Sequence, residues 1–232
     1  MTAPLQPLLD AWRPAPLPDL DASWAVGPGG RAFAIAGLFA SLEESLLIVV
    51  PGESDAEELV DDLKLFIDDV VLAPAWETLP FEHVSPNTAT MARRAEARHR
   101  LESGSPVVVV ASVRSAIQRL SSSPIHPIRL APGEEVQLSD LSAELAGLGY
   151  QRTDRVEGRG EFAVRGGIVD IFPAQSEQPV RLDFWGDQIE ELREFSVASQ
   201  RSLDKVDEVV AYPARELRPD EAIVARARDL VR

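Results

Sequence analysis

A glycine-rich segment, VGPGGRAFAIAG, is the part of the sequence best suited to phosphate chemistry. Closely spaced glycines between a strand and a helix let backbone N–H groups surround phosphate oxygens, while a following lysine and a hydroxyl bind the outer phosphates and Mg²⁺. Gly27, Gly29 and Gly30 could supply the turn, but Arg31 and Ala32 stand where the lysine and the hydroxyl belong. Arginine is a poor replacement for a compact ammonium group, and alanine cannot bind a metal. The sequence therefore predicts a degenerate loop that binds no nucleotide, and we expect no cofactor.

Four arginines close together in a predicted helix, TATMARRAEARHRLES, are a second candidate for phosphate binding. They are Arg93, Arg94, Arg98 and Arg100, and glutamates lie among them. They could contact nucleic acid or a protein partner, or they could form a solvated face with salt bridges inside the chain. The chain has a net charge of −15, which repels the phosphate backbone of nucleic acid and favours the second interpretation.

Other common kinds of site lack the necessary residues. The chain has no cysteine, and its three histidines, at positions 83, 99 and 126, do not have metal-ligand spacing. Ser112 follows a strand-like run, but no histidine and aspartate at identifiable spacing would make it a nucleophile. The apolar runs are shorter than the roughly 20 residues that cross a bilayer, and the first residues do not form a secretory signal. We interpret the chain as a soluble cytoplasmic protein without a catalytic residue, a metal site or a membrane partner.

Strand-like and helix-like runs alternate through the first half of the chain. The apolar runs SWAV, SLLIVVP, VVLAP and PVVVVAS predict strands. Helical patterns lie between them, including SDAEELVDDLKLFIDD, in which Ser54 and Glu57 have the spacing of a capping box. This order predicts an α/β fold over residues 22–125, with a parallel sheet, helices on both faces and a degenerate loop like that of a P-loop NTPase.

The pattern changes after SSSPIHP, where serines and prolines predict a linker. Residues 126–212 then combine a helix, LSDLSAELAGLGY with Ser139 as its cap, and consecutive strands, which predicts a small inserted α+β domain. Residues 1–21 are rich in proline and are predicted to be extended and loosely held. Residues 213–232 begin a new helix near Pro219 and would start a returning α/β segment. We expect the chain to be a piece of a longer protein, because a basic, alanine-rich helix is an unusual place for a domain to end.

Charged and aromatic residues share one side of the sheet predicted in the small domain. If the apolar residues of EFAVR and VRLDFW face the core, period-two alternation turns Arg165, Arg181, Asp183 and Trp185 outward. Arginine and tryptophan are strongly enriched at interface hot spots. Alternatively, Arg181 and Asp183 pair across the sheet surface while Trp185 covers a local apolar patch, and periodicity alone does not decide between the two. The imperfect alternation of QIEELREF predicts a bulge or register shift near Glu190–Glu191.

Several of these segments together resemble the family of the bacterial transcription-repair coupling factor (Mfd), which is similar to the excinuclease B subunit (UvrB). They are VGPGGRAFAIA, APAWETLPFEHVSP, VVVVASV and above all GEFAVRGGIVDIFP with PVRLDFWGDQIEELREF. The resemblance covers nearly the whole chain from about residue 22 and corresponds to the N-terminal module of the family. The chain lacks the intact phosphate loop and the long tyrosine-rich hairpin of the excinuclease B subunit. The resemblance therefore implies neither ATP hydrolysis nor the binding of damaged DNA by this chain.

This resemblance implies that residues 126–212 bind the excinuclease A subunit (UvrA) and recruit it to a stalled RNA polymerase for transcription-coupled nucleotide excision repair. The implied contact residues are Arg165, Arg181, Trp185, Arg152, Phe162 and Asp183. Arg165 and Arg181 would pair with acidic groups of the partner, and Trp185 would fill an apolar recess. Full-length family members would also contain a DNA-dependent ATPase and translocase. RNA polymerase and DNA would then be bound only by regions outside this chain, and the other domains of the factor would be further partners. The alternative function is a weak nucleotide-binding ATPase or a DNA-binding module related to the excinuclease B subunit.

Overall fold

Two units make up the chain: Met1–Ala75 with Glu96–Arg119, and Trp76–Ala95 with Leu120–Arg232. A computed structural model describes residues 3–10, 23, 25–79, 82–121, 124–216, 224–225 and 228–229. Within these ranges, no helix is long and apolar enough to cross a membrane.

The first unit is built around a parallel sheet of three strands in its described residues. They are β1 (Leu46–Val50), β2 (Val70–Ala73) and β3 (Val108–Ser112), in the order β1–β3–β2. The helices are α1 (Gln6–Asp10), α2 (Arg31–Leu42), α3 (Glu53–Leu63), α5 (Val113–Ile117) and the second half of α4 (Thr88–Glu102). The central strand β3 is buried throughout, and its alternate side chains pack with α3 on one face and with Ala97 of α4 on the other. The predicted parallel sheet with helices on both faces is therefore confirmed for the central strand, within a mixed α/β architecture.

The segment that leads into α2 differs from the prediction. Residues 23, 25 and 26, predicted to belong to a first strand, have no regular structure. A 3₁₀ turn, Pro28–Gly30, instead leads directly into α2. Glycine and proline shorten the run and remove ladder hydrogen bonds, so a strand has little to gain there.

Residues 6–10, which were predicted to be extended, form α1. Leu9 is buried in the apolar cluster of the first unit, and the backbone N–H of Leu5 donates to the carbonyl of Leu65. Burial of a leucine, rather than local sequence, therefore decides the conformation of this short segment. Prolines 14, 16 and 18 lie outside the described residues.

The predicted cap of α3 was wrong by two residues. The helix begins at Glu53 with Gly52 as its N-cap, so Ser54 lies inside the first turn. The Asp55 carboxylate accepts a hydrogen bond from the Gly52 N–H at 3.0 Å. A carboxylate in the first turn also interacts favourably with the helix dipole, which explains why this start is preferred.

The second unit contains a six-stranded sheet in the order β10–β9–β8–β7–β6–β5. Its strands are β5 (Gln151–Arg152), β6 (Glu161–Arg165), β7 (Ile168–Ile171), β8 (Val180–Trp185), β9 (Gln188–Phe195) and β10 (Ser202–Lys205). β5 is parallel to β6, and the other neighbouring strands are antiparallel. A separate antiparallel pair joins β4 (Ile128–Leu130) to β11 (Val209–Ala211).

One helix of this unit, α6 (Leu138–Gly147), packs into its largest apolar core. The predicted stripe of Leu141, Leu145 and Leu148 is buried in that core, as expected from its spacing. Ser139 is not the cap, because Gln137 holds the N-cap position and the Ser139 hydroxyl donates to the neighbouring Asp140 carboxylate. The predicted helix near Pro219 begins outside the described residues.

Candidate partner-binding face

The six-stranded sheet turns one face to the large apolar core and the other to mainly charged residues, where Ala163 and Phe195 also belong to a smaller buried cluster. Phe162, Val180 and Leu182 belong to the large core, and Val164 and Phe184 pack against it, as the alternation predicted. Directly paired residues of antiparallel strands lie on the same face. The register therefore places Arg165, Ile168, Asp183 and Glu191 in one row across β6, β7, β8 and β9. We call the side that carries this row the outward face.

A bulge in the pairing of β8 with β9 keeps apolar residues on the core face and charged residues on the outward face. The pairing shifts between Asp183, which lies opposite Glu191, and Phe184, which lies opposite Ile189. Glu190 is therefore an extra residue of β9, and both Ile189 and Leu192 can reach the core although they are three positions apart. The register shift predicted near Glu190–Glu191 is confirmed. Because β8 itself stays regular, Trp185 remains on the outward side.

Trp185 is the most accessible of the predicted contact residues on the outward face. It is 76% exposed at the end of β8, next to a turn in which Gly186 has a φ of +62°. A positive φ favours glycine, so the tight turn after the tryptophan depends on this residue type. Tryptophan is among the residue types most enriched at interface hot spots, so an exposed tryptophan flanked by charged groups is a candidate binding anchor.

A buried carboxylate organises the two arginines of the outward face. Asp170 is fully buried in β7 and accepts hydrogen bonds from both Arg165 and Arg181. The Arg181 contact has two prongs, from Nε to Oδ1 at 2.7 Å and from Nη2 to Oδ2 at 2.9 Å. The hydrogen bond that Arg181 donates to the Asp170 carboxylate raises the pKa of Arg181 above its usual value, although burial acts in the opposite direction. Arg181 is therefore charged at any physiological pH.

Arg181 is held inside the unit on several sides. Its side chain is only 14% exposed, its guanidinium carbon lies 4.8 Å from the centre of the Phe195 ring, and Nη1 donates to the carbonyl of Gln200. The partner suggested for Arg181 in the alternative interpretation, Asp183, is not its ion-pair partner; Asp170 takes that place. Nε, Nη1 and Nη2 of Arg181 therefore all donate hydrogen bonds within the second unit.

Arg165 differs from Arg181 in its exposure. Its side chain is 47% exposed, and it contacts Asp170 through Nη2. Among the described residues its other guanidinium nitrogens have no hydrogen-bond partner, so they can donate to an external acceptor. Arg165 and Trp185 thus form the accessible part of the predicted contact set.

The remaining predicted contact residues fall into different environments. Phe162 is 1% exposed in the core, so its side chain is not accessible on the outward face, and its contact with a partner stays a prediction. Arg152 is exposed on β5, at one edge of the sheet. Asp183 is half-buried on the outward face and, within the described part of the chain, forms no ion pair.

Sequence reasoning missed part of this face. A depression of about 640 Å³ opens on it, lined by Gly167, Ile168, Asp183, Phe184, Glu190 and Glu191. It also missed Asp170, although a charged residue inside the otherwise apolar run GIVDIFP was a usable signal. A charge in such a run is costly to bury unless it is paired, which predicts cationic neighbours.

The glycine turn of the first unit lacks the features of a phosphate cradle. None of Gly27, Gly29 and Gly30 has a positive φ, and a Cβ added to Gly27 or Gly29 would meet no atom within 4 Å. No strand precedes the turn in the residues described there, so the strand–loop–helix context of such loops is missing. Arg31 is exposed at the start of α2.

The arginines of α4 form ion pairs within their own units. Arg93 pairs with Glu177, Arg94 with Glu216, Arg98 with Glu102, and Arg100 with Asp69. Arg94 is almost completely buried. Of the two interpretations of this helix, salt bridges inside the chain therefore agree with the structure.

Comparison with known proteins gives an independent indication of the family. Residues 128–217 match the family model of the UvrB interaction domain.

The chain is similar to the transcription-repair-coupling factor of Mycobacterium tuberculosis (strain CDC 1551 / Oshkosh), with 42% identity over 217 residues that cover 88% of this chain and 18% of that protein. It is 34% identical over 215 residues to the transcription-repair-coupling factor of Myxococcus xanthus, covering 87% of this chain and 18% of that protein. The corresponding protein of Escherichia coli (strain K12) is 33% identical over 183 residues, covering 77% of this chain and 16% of that protein. The chain spans less than a fifth of the length of these curated relatives. Residues 128–217 therefore belong to the UvrB interaction domain family, within a chain homologous to the transcription-repair-coupling factors.

Proposed function

We propose that this chain is a non-catalytic recruitment module that binds the excinuclease A subunit through the outward face of its six-stranded sheet. In a full-length coupling factor, this contact would bring the excinuclease to a stalled RNA polymerase for transcription-coupled nucleotide excision repair. The ATPase motor and the contacts to polymerase and DNA would belong to other regions of that protein. The proposal rests on one observation: the exposed Trp185 and the half-exposed Arg165 lie on the same face of the domain that matches the family model.

The chemistry of the two residues fits a protein–protein contact. An exposed tryptophan supplies a large apolar surface with few rotatable bonds, and truncating such an anchor typically costs about 2 kcal/mol or more of binding free energy. A guanidinium binds a carboxylate with planar, two-pronged geometry. We therefore expect the partner to present an apolar recess for Trp185 and an acidic group for Arg165.

The four ion pairs of α4 and the open glycine turn leave the alternative functions without a supporting observation. The arginines that would contact DNA are engaged within the units. The glycine turn offers no lysine and no hydroxyl where a phosphate loop needs them, and none of its three glycines has a positive φ. We therefore propose neither nucleotide nor DNA binding for this chain.

The proposal is tested by calorimetric binding of the whole chain to purified excinuclease A subunit. Trp185→Ala and Arg165→Glu should each raise Kd by about 30-fold, the equivalent of about 2 kcal/mol. Trp185→Ala should leave the melting temperature unchanged, whereas Arg165→Glu also loses the contact with the buried Asp170 and should lower it. Matched controls are Ile117→Ala, which removes another exposed apolar side chain, and Arg129→Glu, which reverses an exposed charge on β4. Controls that weaken binding as much as the test variants, or a wild-type chain that does not bind, would contradict the proposal.

A further inference from the structure

We infer that Asp170 is a positioning residue for partner recognition, because its buried carboxylate holds Arg165 in a fixed orientation on the outward face. The inference rests on the proposed function. Asp170 itself is inaccessible to any partner, so its effect on binding must pass through Arg165.

The geometry of the sheet explains how Asp170 reaches both arginines. Asp170 lies directly opposite Arg181 on β8 and opposite Ala163 on β6. Arg165 is two residues further along β6 and on the same face, at a diagonal distance that a long side chain can span. The Arg165 guanidinium spans this diagonal to reach the carboxylate, while Ala163, directly opposite Asp170, is buried in a small apolar cluster with Val156, Phe172 and Phe195.

The two arginines of this cluster differ in accessibility. Asp170 supplies one carboxylate to two guanidinium groups, and the charge of Asp183 on the same face acts on Arg181 as well. Arg181 is enclosed by Asp170, Phe195 and Gln200, whereas Arg165 is half-exposed. Of the two cations, Arg165 is therefore the one that a partner can reach.

Asp170 fixes the orientation of the Arg165 side chain. An arginine on a strand surface loses considerable rotamer freedom when it binds a partner. An arginine already anchored through Nη2 has lost part of that freedom in the free protein, and its other nitrogens keep a defined direction. A fixed planar fork of this kind favours a carboxylate over a single-point acceptor.

A double-mutant cycle in the whole chain tests the inference, with Kd for purified excinuclease A subunit and the melting temperature as readouts. Asp170→Asn should raise Kd about tenfold in the wild-type background and should have no further effect on Kd when Arg165 is alanine. Its destabilising effect should appear in both backgrounds, because Arg181 still loses its ionic partner. An Asp170→Asn effect on Kd that is equal in both backgrounds, or absent, would overturn the inference.

A second variant avoids the risk that Asp170→Asn does not fold. Arg165→Lys keeps the charge but lacks the second prong, so it should bind about tenfold more weakly at an unchanged melting temperature. Wild-type affinity in Arg165→Lys would overturn the inference while leaving the proposed function standing. Failure of the wild-type chain to bind would overturn both.

Discussion

At the residue scale, exposure separates side chains that bind from side chains that fold. Trp185, Arg165, Arg181 and Asp170 lie on one sheet face, and their accessibility falls in that order from largely exposed to fully buried. The alternation of the sequence places Trp185, Arg165 and Arg181 on the outward face. It does not show which of the two arginines forms the closer contact with the buried Asp170. That depends on the register of β6, β7 and β8, which sequence patterns do not determine.

Arg181→Ala should therefore destabilise the second unit. The change leaves the buried Asp170 with only the half-exposed Arg165 and removes the cation above the Phe195 ring. Breaking a buried ion pair from one side typically costs about 3–5 kcal/mol. Urea denaturation followed by circular dichroism should show this loss.

The matched control for Arg181 is Arg193→Ala, on the neighbouring strand. Arg193 pairs with Glu191 at a more exposed position, so its loss should cost about 1 kcal/mol or less. Equal stability losses in the two variants would mean that the contact with Asp170 contributes little to the fold.

At the scale of elements, Tyr150 joins the end of α6 to two other segments. Its hydroxyl donates to the carbonyl of Tyr212, just after β11, and accepts from the N–H of Ala174, beyond β7. Burial raises the pKa of Tyr150 well above its usual value near 10, with the Ala174 hydrogen bond acting in the opposite direction. The side chain therefore stays protonated in the folded protein at pH values where the unfolded chain loses the proton.

Tyr150→Phe should cost about 1–3 kcal/mol at pH 8, because two buried backbone groups lose their partner. The contribution of Tyr150 is complete below pH 10 and decreases as pH rises above 10, by at most about 1.4 kcal/mol per pH unit. The difference in stability between wild type and variant should therefore narrow between pH 10 and pH 11. Tyr212 is present in both proteins, so its titration cancels from the comparison.

Urea midpoints at pH 8, 10 and 11 measure this narrowing. A difference that stays constant over the three pH values would contradict a buried, protonated Tyr150. A difference near zero at pH 8 would show that the two hydrogen bonds contribute little.

The helices and strands with a strong apolar pattern were predictable, and the short or capped segments were not. The stripe of Leu141, Leu145 and Leu148 and the buried run of β3 appear in the structure where the sequence places them. The caps Ser54 and Ser139 were wrong, because the two helices begin after Gly52 and Gln137, neither of which makes a side-chain capping hydrogen bond, so capping preference does not set where they begin. The burial of Leu9 and the pairing of Asp170 depend on contacts between segments that are distant in sequence, and no local pattern reveals them.

At the scale of the whole molecule, the second unit includes Trp76–Ala95, a segment that precedes β3 of the first unit in the sequence. The composition change at SSSPIHP led us to predict a domain of residues 126–212, whereas the contacts of the chain group Trp76–Ala95 with Leu120–Arg232. Within this unit the Glu216 carboxylate accepts hydrogen bonds from Trp76 Nε1 at 2.7 Å and from Arg94 Nε at 2.9 Å. We propose that the docking unit extends to these residues.

Glu216→Gln tests this extension in the whole chain. The change keeps the shape of the side chain but removes the charge that faces the buried Arg94, for which we expect a loss of about 3 kcal/mol. Hydrogen exchange followed by mass spectrometry should become faster in residues 76–95, because their anchor to the rest of the unit is weakened. Glu208→Gln is the matched control: its partner Arg129 is exposed, so it should change neither stability nor exchange by a measurable amount. Unchanged exchange in residues 76–95 of Glu216→Gln would show that contacts other than the carboxylate hold this segment, and would place the boundary of the docking unit nearer to residue 126.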